Sequence, residues 1–447
     1  MVTSKESSQL FEDTVFIKIF QTFRMSIQPT KLIITSVALA VICLAGWIMD
    51  FNKTVAVEYD DNGKINKTEL QIYITGAGHD EILSEIEKLK QSDKRSGVFS
   101  TMWHFSAKKF QGAVDSVVLK HDIEGVLNNI TDFFKAVGWA LRYHTVYCLV
   151  FLAIELAVMS IAVGAICRIA ALQFARGEKP GLTEALRYST KRFTSFFTAP
   201  LAPIGIFIFI GIFVLLLGLA GNIPRVGELI VGIGMPLALF AGSFLAVIAI
   251  GAVAGFNLMF PAVAYDGSDS FDAISRSFSY VYAKPWRMAF YTIIAAIYGS
   301  ICYTFVRFFV FLSLLITRWL LRIGLWVDNG SQQVNKLVAI WPKPEFRYLL
   351  GSSSPATLNW TESVAAFLVY LFLLAVVGLL VSFIISFYFS ANTIIYSLMR
   401  KTVDNTALED IYMPFEEAEN EPTDNEMLPR EEPLSTESES EQNEPSS

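Results

Sequence analysis

The sequence predicts an all-α fold: a polytopic helical membrane protein of about six transmembrane helices with duplicated helical hairpins, plus a small extracytoplasmic α or α+β segment. Three observations predict it. Six apolar runs lie between Lys31 and Tyr396, near or above the ~20 residues a helix needs to cross a bilayer core. The 447 residues are 53% hydrophobic, with a mean hydropathy of +0.46, and a soluble core has no use for that much apolar surface. Two consecutive hairpins, spans two and three and spans four and five, also read as copies of one another.

The spans run from Leu32 to Met49, Val146 to Leu172, Ala199 to Ala220, Leu229 to Val263, Met288 to Leu315 and Val364 to Tyr396. The last three exceed the minimum, which predicts tilt, kinks or extensions beyond the membrane. Ala38-Leu39-Ala40 imitates a leader cleavage site but lies inside the first apolar run, so that run reads as an uncleaved anchor. The chain then divides into a cytoplasmic N-terminus (1–31), a transmembrane anchor (32–49) and an extracytoplasmic segment (50–145). Spans two to four with a first cytoplasmic elbow (146–263) follow, then a second elbow with spans five and six and an outer loop 317–363 (264–397), then an acidic tail (398–447).

Orientation follows from the basic residues, because cytoplasmic loops retain positive charge. With the N-terminus inside, residues 1–31, 173–197, 263–288 and 398–403 hold four, five, three and two Lys or Arg. The short opposite loops 221–228 and 317–363 hold one and five. Both termini are therefore expected in the cytoplasm. The net charge of −7 conceals an asymmetry: residues 402–447 carry 15 acids and one base, Arg430, leaving 34 bases against 27 acids in the rest. Ser, Glu, Pro and Asn dominate after Met413, a composition too polar to offset the entropy of ordering, which predicts a disordered tail. Cys43, Cys148, Cys167 and Cys302 sit within or at the edge of the spans, so no disulfide framework is expected.

Residues 50–145 form the candidate for a separate domain. Alternation in Thr54–Tyr59 and in Glu69–Ile74, with Asp61-Asn62-Gly63 between, predicts a β-hairpin. Helical patterns follow over His79–Ser92, Val98–Leu119 and Ile123–Arg142, and the last two mix apolar and basic residues as surface-lying helices do.

The duplication is read from the loops. After span two come Arg176-Gly177-Glu178-Lys179-Pro180-Gly181 and a short helix opening at Glu184-Ala185-Leu186; after span four come Asp266-Gly267-Ser268-Asp269 and a helix opening at Asp272-Ala273-Ile274. A third copy begins after span six, with Asp404-Asn405-Thr406 as its turn and Glu409-Asp410-Ile411 as its helix start. The early acids complement the helix dipole, and Arg187, Lys191, Arg192, Arg276 and Lys284 are expected to meet anionic headgroups. Pro200, Pro203 and Pro285 follow the elbows, where the chain bends into the next span. The copies run in parallel, unlike the inverted repeats of many transporters.

Gly164-Ala165-Ile166-Cys167-Arg168-Ile169-Ala170-Ala171, then Ala175–Lys179 and Glu184–Arg187, resemble an uncharacterised family of bacterial polytopic integral membrane proteins. So do Phe196–Leu201 and the stretch Tyr396–Asp404. The resemblance covers residues 95–412 and implies the topology and a bacterial inner-membrane location. It implies no activity and supplies no catalytic residue.

Glu155 lies near the middle of span two. An ionisable group at that depth costs ~2.5–3.5 kcal/mol on insertion scales, so it reads as a proton or cation site or as a hydrogen-bonded group inside the bundle. Arg307 is the nearest opposite charge by depth. Arg307, Arg318 and Arg322 fall on one side of a continued helix, where they bind lipid phosphate or act as snorkelling anchors. Trp319, Trp326, Trp341 and Trp360 read as an interfacial aromatic belt. Gly251 and Gly255 form a GxxxG pattern for close helix packing. Asn52, Asn66, Asn129, Asn329 and Asn359 open N-x-S/T sequons that chance accounts for.

His79, His104, His121 and His144 match no zinc spacing, and the sequence has no P-loop, GxSxG, HExxH or CxxC. No metal, cofactor, catalytic residue or nucleic-acid partner is expected, and an enzyme is the least supported class. The expectation is a structural or accessory membrane component that contacts lipids, and that contacts proteins through residues 50–145 and the acidic tail. The rival is a transporter or lipid-handling protein using Glu155 and the outer arginines.

Overall fold

A computed structural model of the chain describes residues 15–59, 65–75, 79–90, 94–324, 337, 340–346, 348–351 and 359–413. The chain divides into two units, Met1–Ile411 and Tyr412–Ser447. Only Tyr412 and Met413 of the second are described, so the tail reading lies outside the described residues. The fold below is that of the first unit.

Among the described residues six helices are long and apolar enough to cross a membrane: α2 (Pro29–Met49), α7 (Thr145–Ala175), α10 (Ala202–Ala220), α11 (Gly227–Asp266), α13 (Pro285–Gly324) and α14 (Trp360–Asp404). Five contain their expected spans whole, α10 begins at Ala202 rather than at the expected Ala199, and the last three are 40, 40 and 45 residues long. Their ends carry ordinary stop signals. Pro29 and Pro203 occupy first turns, where no intrahelical donor is missed. Glu362 accepts from the Asn359 amide at 3.0 Å to open α14. Past the ends of α7, α11 and α14 stand Gly177, Gly267 and Asn405, with φ of +76°, +60° and +55°. Gly and Asn tolerate that left-handed cap best, and its recurrence marks the repeat.

Two short elbow helices also form, α8 (Leu182–Lys191) and α12 (Ser270–Ala283), with α9 (Phe193–Thr198) between α8 and α10. Asp269 caps α12 by accepting from the Asp272 amide at 2.8 Å. The third copy departs from expectation. Asn405 makes the turn, but residues 405–413 contain no helix. Leu408 and Ile411 are instead buried, and Asp410 accepts from Arg400, so these contacts hold an irregular run that turns at Leu408-Glu409.

Helices α7, α11 and α14 pack on one another, and α2 packs on α7 and α14. Packing is densest at one end. Ala162–Leu172 of α7, Leu258–Tyr265 of α11 and Ser390–Leu398 of α14 are buried on every face. The small residues of Gly164-Ala165 and Ala170-Ala171 permit that approach: a Cβ on Gly164 would stand 2.4 Å from Ser189 Oγ of α8. At the other extreme α10 buries only Pro203, and Leu229, Ile233, Leu237 and Phe240 of α11 are all more than half exposed.

The N-terminal stretch is more than a polar leader. A 3-10 segment, Val15–Gln21, and α1 (Thr22–Ser26) dock against α13 and α14. Ile19, Thr22 and Ser26 are fully buried, and Phe20 meets Tyr298 edge-on at 4.9 Å.

Residues 50–145 hold a three-stranded antiparallel sheet ordered β2-β1-β3, from β1 (Val55–Tyr59), β2 (Ile65–Thr68) and β3 (Arg95–Ser96). The first predicted strand is present and the second is displaced: Glu69–Thr75 is helix α3. Thr68 and Gln71 decide this. Each side chain accepts from the other's amide, at 3.2 Å both ways, a capping box that starts a helix where apolar alternation suggested a strand. Asp61-Asn62-Gly63 lies outside the described residues. Helices α4 (His79–Lys90), α5 (Val98–Asp115) and α6 (Ile123–Tyr143) follow, close to expectation. Alternation along β1 places Val55 and Val57 with Leu70, Val98 and Trp139, and Ala56 with Ile72, Ile86 and Leu89.

Candidate functional site

Long helices extended past an apolar core bring their polar ends together, and this happens where α7, α11 and α14 converge. Asp266, the last residue of α11, has a side chain only 6% exposed. Arg400 Nε of α14 stands 3.1 Å from Oδ1, an ion pair without hydrogen-bond alignment. Arg276 Nη1 of α12 donates to Oδ2 at 3.3 Å, and the Tyr396 hydroxyl donates to the same oxygen. Each arginine has a further acid: Arg276 Nε reaches Asp272 at 3.0 Å, and Arg400 Nη2 reaches Asp410 at 3.1 Å.

Tyrosines fill the space between these charges. Tyr280 and Tyr396 rings stand 5.4 Å apart, Arg400 lies over Tyr265 at 5.4 Å, and Tyr265 donates to the Leu408 carbonyl. Tyr280 donates to Asp404 at 2.5 Å. Burial, followed by that bond and the charge of Asp404, holds its phenol well above the ordinary tyrosine range. Burial disfavours the charge on Arg276, but Asp266, then Tyr396 and Asp272, outweigh it and strengthen its guanidinium's hold on the proton.

The first elbow is tied in the same way. Arg168 of α7 donates to the Ala264 carbonyl at 3.3 Å and lies over the Tyr188 ring at 4.5 Å. Tyr188 donates to Val263 O at 3.0 Å, and Arg192 donates to the Gly267 carbonyl. Lys284 reaches Thr402 O at 2.8 Å. The expectation that the elbow bases meet headgroups is therefore corrected for Arg192, Arg276 and Lys284. They serve the open carbonyls and carboxylates where α11 and α14 end, while Arg187 and Lys191 are exposed.

A second polar chamber lies beside the first. Lys31 is fully buried, and its ammonium donates to Ser390 Oγ at 3.2 Å and Gln173 Oε1 at 3.3 Å. Ser382, Ser386 and Ser390, at steps of four on α14, line the seam with α1 and α2. Two of the three ammonium donors have neutral acceptors, and among the described residues no carboxylate comes within ion-pairing distance. The signal was available in the sequence: a Lys beside the first apolar run and a four-residue Ser period. Counting that Lys as loop charge concealed it.

The residues singled out by sequence do not gather. Glu155 is half-buried in α7, with no ion pair or hydrogen bond among the described residues. Arg307 is buried and is engaged elsewhere, donating to Phe346 O at 3.0 and 2.8 Å and to Tyr303 Oη at 2.6 Å. Arg318 donates to the Trp341 carbonyl, and Arg322 is exposed. The arginine row is thus corrected: two of its members brace residues 341–346. The aromatic belt is corrected too. Trp319 and Trp360 are exposed, but Trp341 is buried with Leu314, Leu349 and Leu373, and Trp326 lies outside the described residues. Of the GxxxG pair, Gly251 packs closely on α12, its Cβ position falling 3.0 Å from Phe278, whereas at Gly255 the nearest atom, of Ser277, is 3.4 Å away, an ordinary contact. Among the described residues no three His, Cys, Asp or Glu side chains gather as a metal site, and all four cysteines are free thiols.

The site's chemistry is that of an ion-paired clamp plus one buried ammonium. No family model matches this chain, and neither a curated protein nor a solved structure matches it.

Proposed function

We propose that this chain is a multi-pass protein of the bacterial inner membrane, with both termini cytoplasmic, acting as a structural or accessory component. Its proposed contacts are lipids around the spans, and proteins through residues 50–145 and the acidic tail. The observation that carries the reading is the closed end of the bundle, where Asp266 is ion-paired with Arg276 and Arg400 and accepts from Tyr396, joining three helices. Breaking such a cluster to open a path strands buried charge, which favours a static scaffold over a moving carrier. The exposed apolar faces of α10 and α11 support insertion in lipid. The resemblance to bacterial polytopic proteins agrees with that location and brings no activity.

The experiment has two parts. Reporter fusions after residues 413 and 100 should report opposite sides, with the chain resisting alkaline carbonate. A cysteine at position 155 should stay unlabelled by small polar thiol reagents from either side. Ready labelling from both sides would replace the scaffold reading with a carrier.

A further inference from the structure

A cavity of about 760 Å³ opens where α2 ends, lined by the apolar Trp47, Ile48 and Phe51 and by the polar Lys53, Arg95 and Ser100. The apolar wall is uncovered: Trp47, Ile48 and Phe51 are 74, 63 and 93% exposed. It continues down α2 as a stripe of exposed Ile33, Val37, Val41 and Leu44, at the three- and four-residue steps that keep one helical face. Lys53 is exposed, and among the described residues neither it nor Arg95 has a carboxylate partner. Arg95 is held in place by β3 pairing with Ala56 and by donation to Thr54 O at 3.4 Å.

Asp50 also lines the cavity, but its oxygens are occupied. They accept from the Phe99 and Ser100 amides at 2.9 and 2.8 Å, from Ser100 Oγ at 2.7 Å and from the Tyr147 hydroxyl at 2.8 Å. The cavity thus sets two bases, Lys53 and Arg95, against one hydrogen-bonded carboxylate, and it is net positive by one charge. A greasy track that ends beneath two cations without a carboxylate partner among the described residues, at the end of a spanning helix, has the shape and polarity of one kind of occupant.

We propose that this cavity binds the phosphate headgroup of an anionic phospholipid through Lys53 and Arg95, with an acyl chain along the α2 stripe. The proposal rests on the membrane-spanning reading above. Trp47 marks the headgroup level, as tryptophans at span ends do, and each base near an anionic lipid surface contributes about fivefold in binding.

The test is native mass spectrometry of the detergent-purified full chain with dioleoyl phosphatidylglycerol or dioleoyl phosphatidylcholine. The wild type should retain the phosphatidylglycerol at least fivefold better, and K53Q/R95Q should lose about 25-fold of that retention. Because Arg95 sits in the sheet, the exposed single variant K53Q, with its melting temperature checked, should lose about fivefold. Equal retention of the two lipids, or undiminished retention in K53Q, overturns the proposal. Displacement of the lipid by 10 mM inorganic phosphate, with no effect of L44S/I48S, assigns the site to a free anion and also overturns it. Release of the chain by alkaline carbonate would instead sink the membrane reading itself.

Discussion

Replacing Asp266 with Asn removes the carboxylate that Arg276 and Arg400 share, without changing the shape of the side chain. Removing one partner of a buried ion pair costs ~3–5 kcal/mol, because the other charge is left without compensation. Two features of the site place D266N at the low end. Arg400 keeps Asp410, which is 63% exposed and weakly held, and Arg276 is itself 37% exposed and keeps Asp272. A loss of about 3 kcal/mol follows, or about 3–6 °C in melting temperature for a chain of this length. Fluorescence-detected unfolding in detergent measures it. A double-mutant cycle with R400Q should return a coupling of about 2 kcal/mol, since the two side chains stand in contact. A melting temperature unchanged within 1 °C, or a coupling below about 0.5 kcal/mol, would refute the clamp.

The chamber at Lys31 predicts the opposite sign: K31M, similar in volume and free of buried charge, should leave the melting temperature unchanged or raise it, and a fall above about 5 °C counts against that. Gly164→Ala should cost about 1–3 kcal/mol, because its Cβ meets Ser189 and the Phe196 ring at 2.4–2.8 Å, whereas Gly255→Ala, at 3.4 Å from Ser277, should cost under about 1 kcal/mol; denaturation curves that rank them the other way would refute the packing argument. The phenol of Tyr280 is held above its ordinary value, so its neutral form stabilises the fold below about pH 10 and that contribution disappears as pH rises toward the folded value. Melting temperature against pH should therefore fall above about pH 10 and fall less in Y280F. A stop after Met413 should leave the melting temperature alone, while a stop after Thr406 removes buried Leu408 and Asp410's bond to Arg400 and should lower it clearly; equal behaviour of the two would contradict the packing of residues 407–411.

Hydropathy and local signals carried much of the architecture. Six apolar runs became six long helices, and the turn residues Gly177, Gly267 and Asn405, each just past a span, marked the repeated turns. Helices over 79–90, 98–115 and 123–143 were likewise legible from period. Local reading failed where two local signals competed, as at Glu69–Thr75, where a Thr68–Gln71 capping box overrode alternation.

The candidate site was illegible for a different reason. Glu155 drew notice because a charge inside an apolar run is conspicuous in one dimension. Asp266, Arg276, Arg400 and Lys31 looked like ordinary loop and end charges, being flanked by polar sequence. Their partners lie on other elements: Arg400 is 134 positions from Asp266 and Lys31 is 359 from Ser390. Sequence by itself determined which segments are helices and which faces are apolar, since those follow from each residue's own free energy of transfer and its near neighbours. Which charges are buried was decided only when the helices packed, because burial and pairing belong to the space between elements and are properties of no single segment.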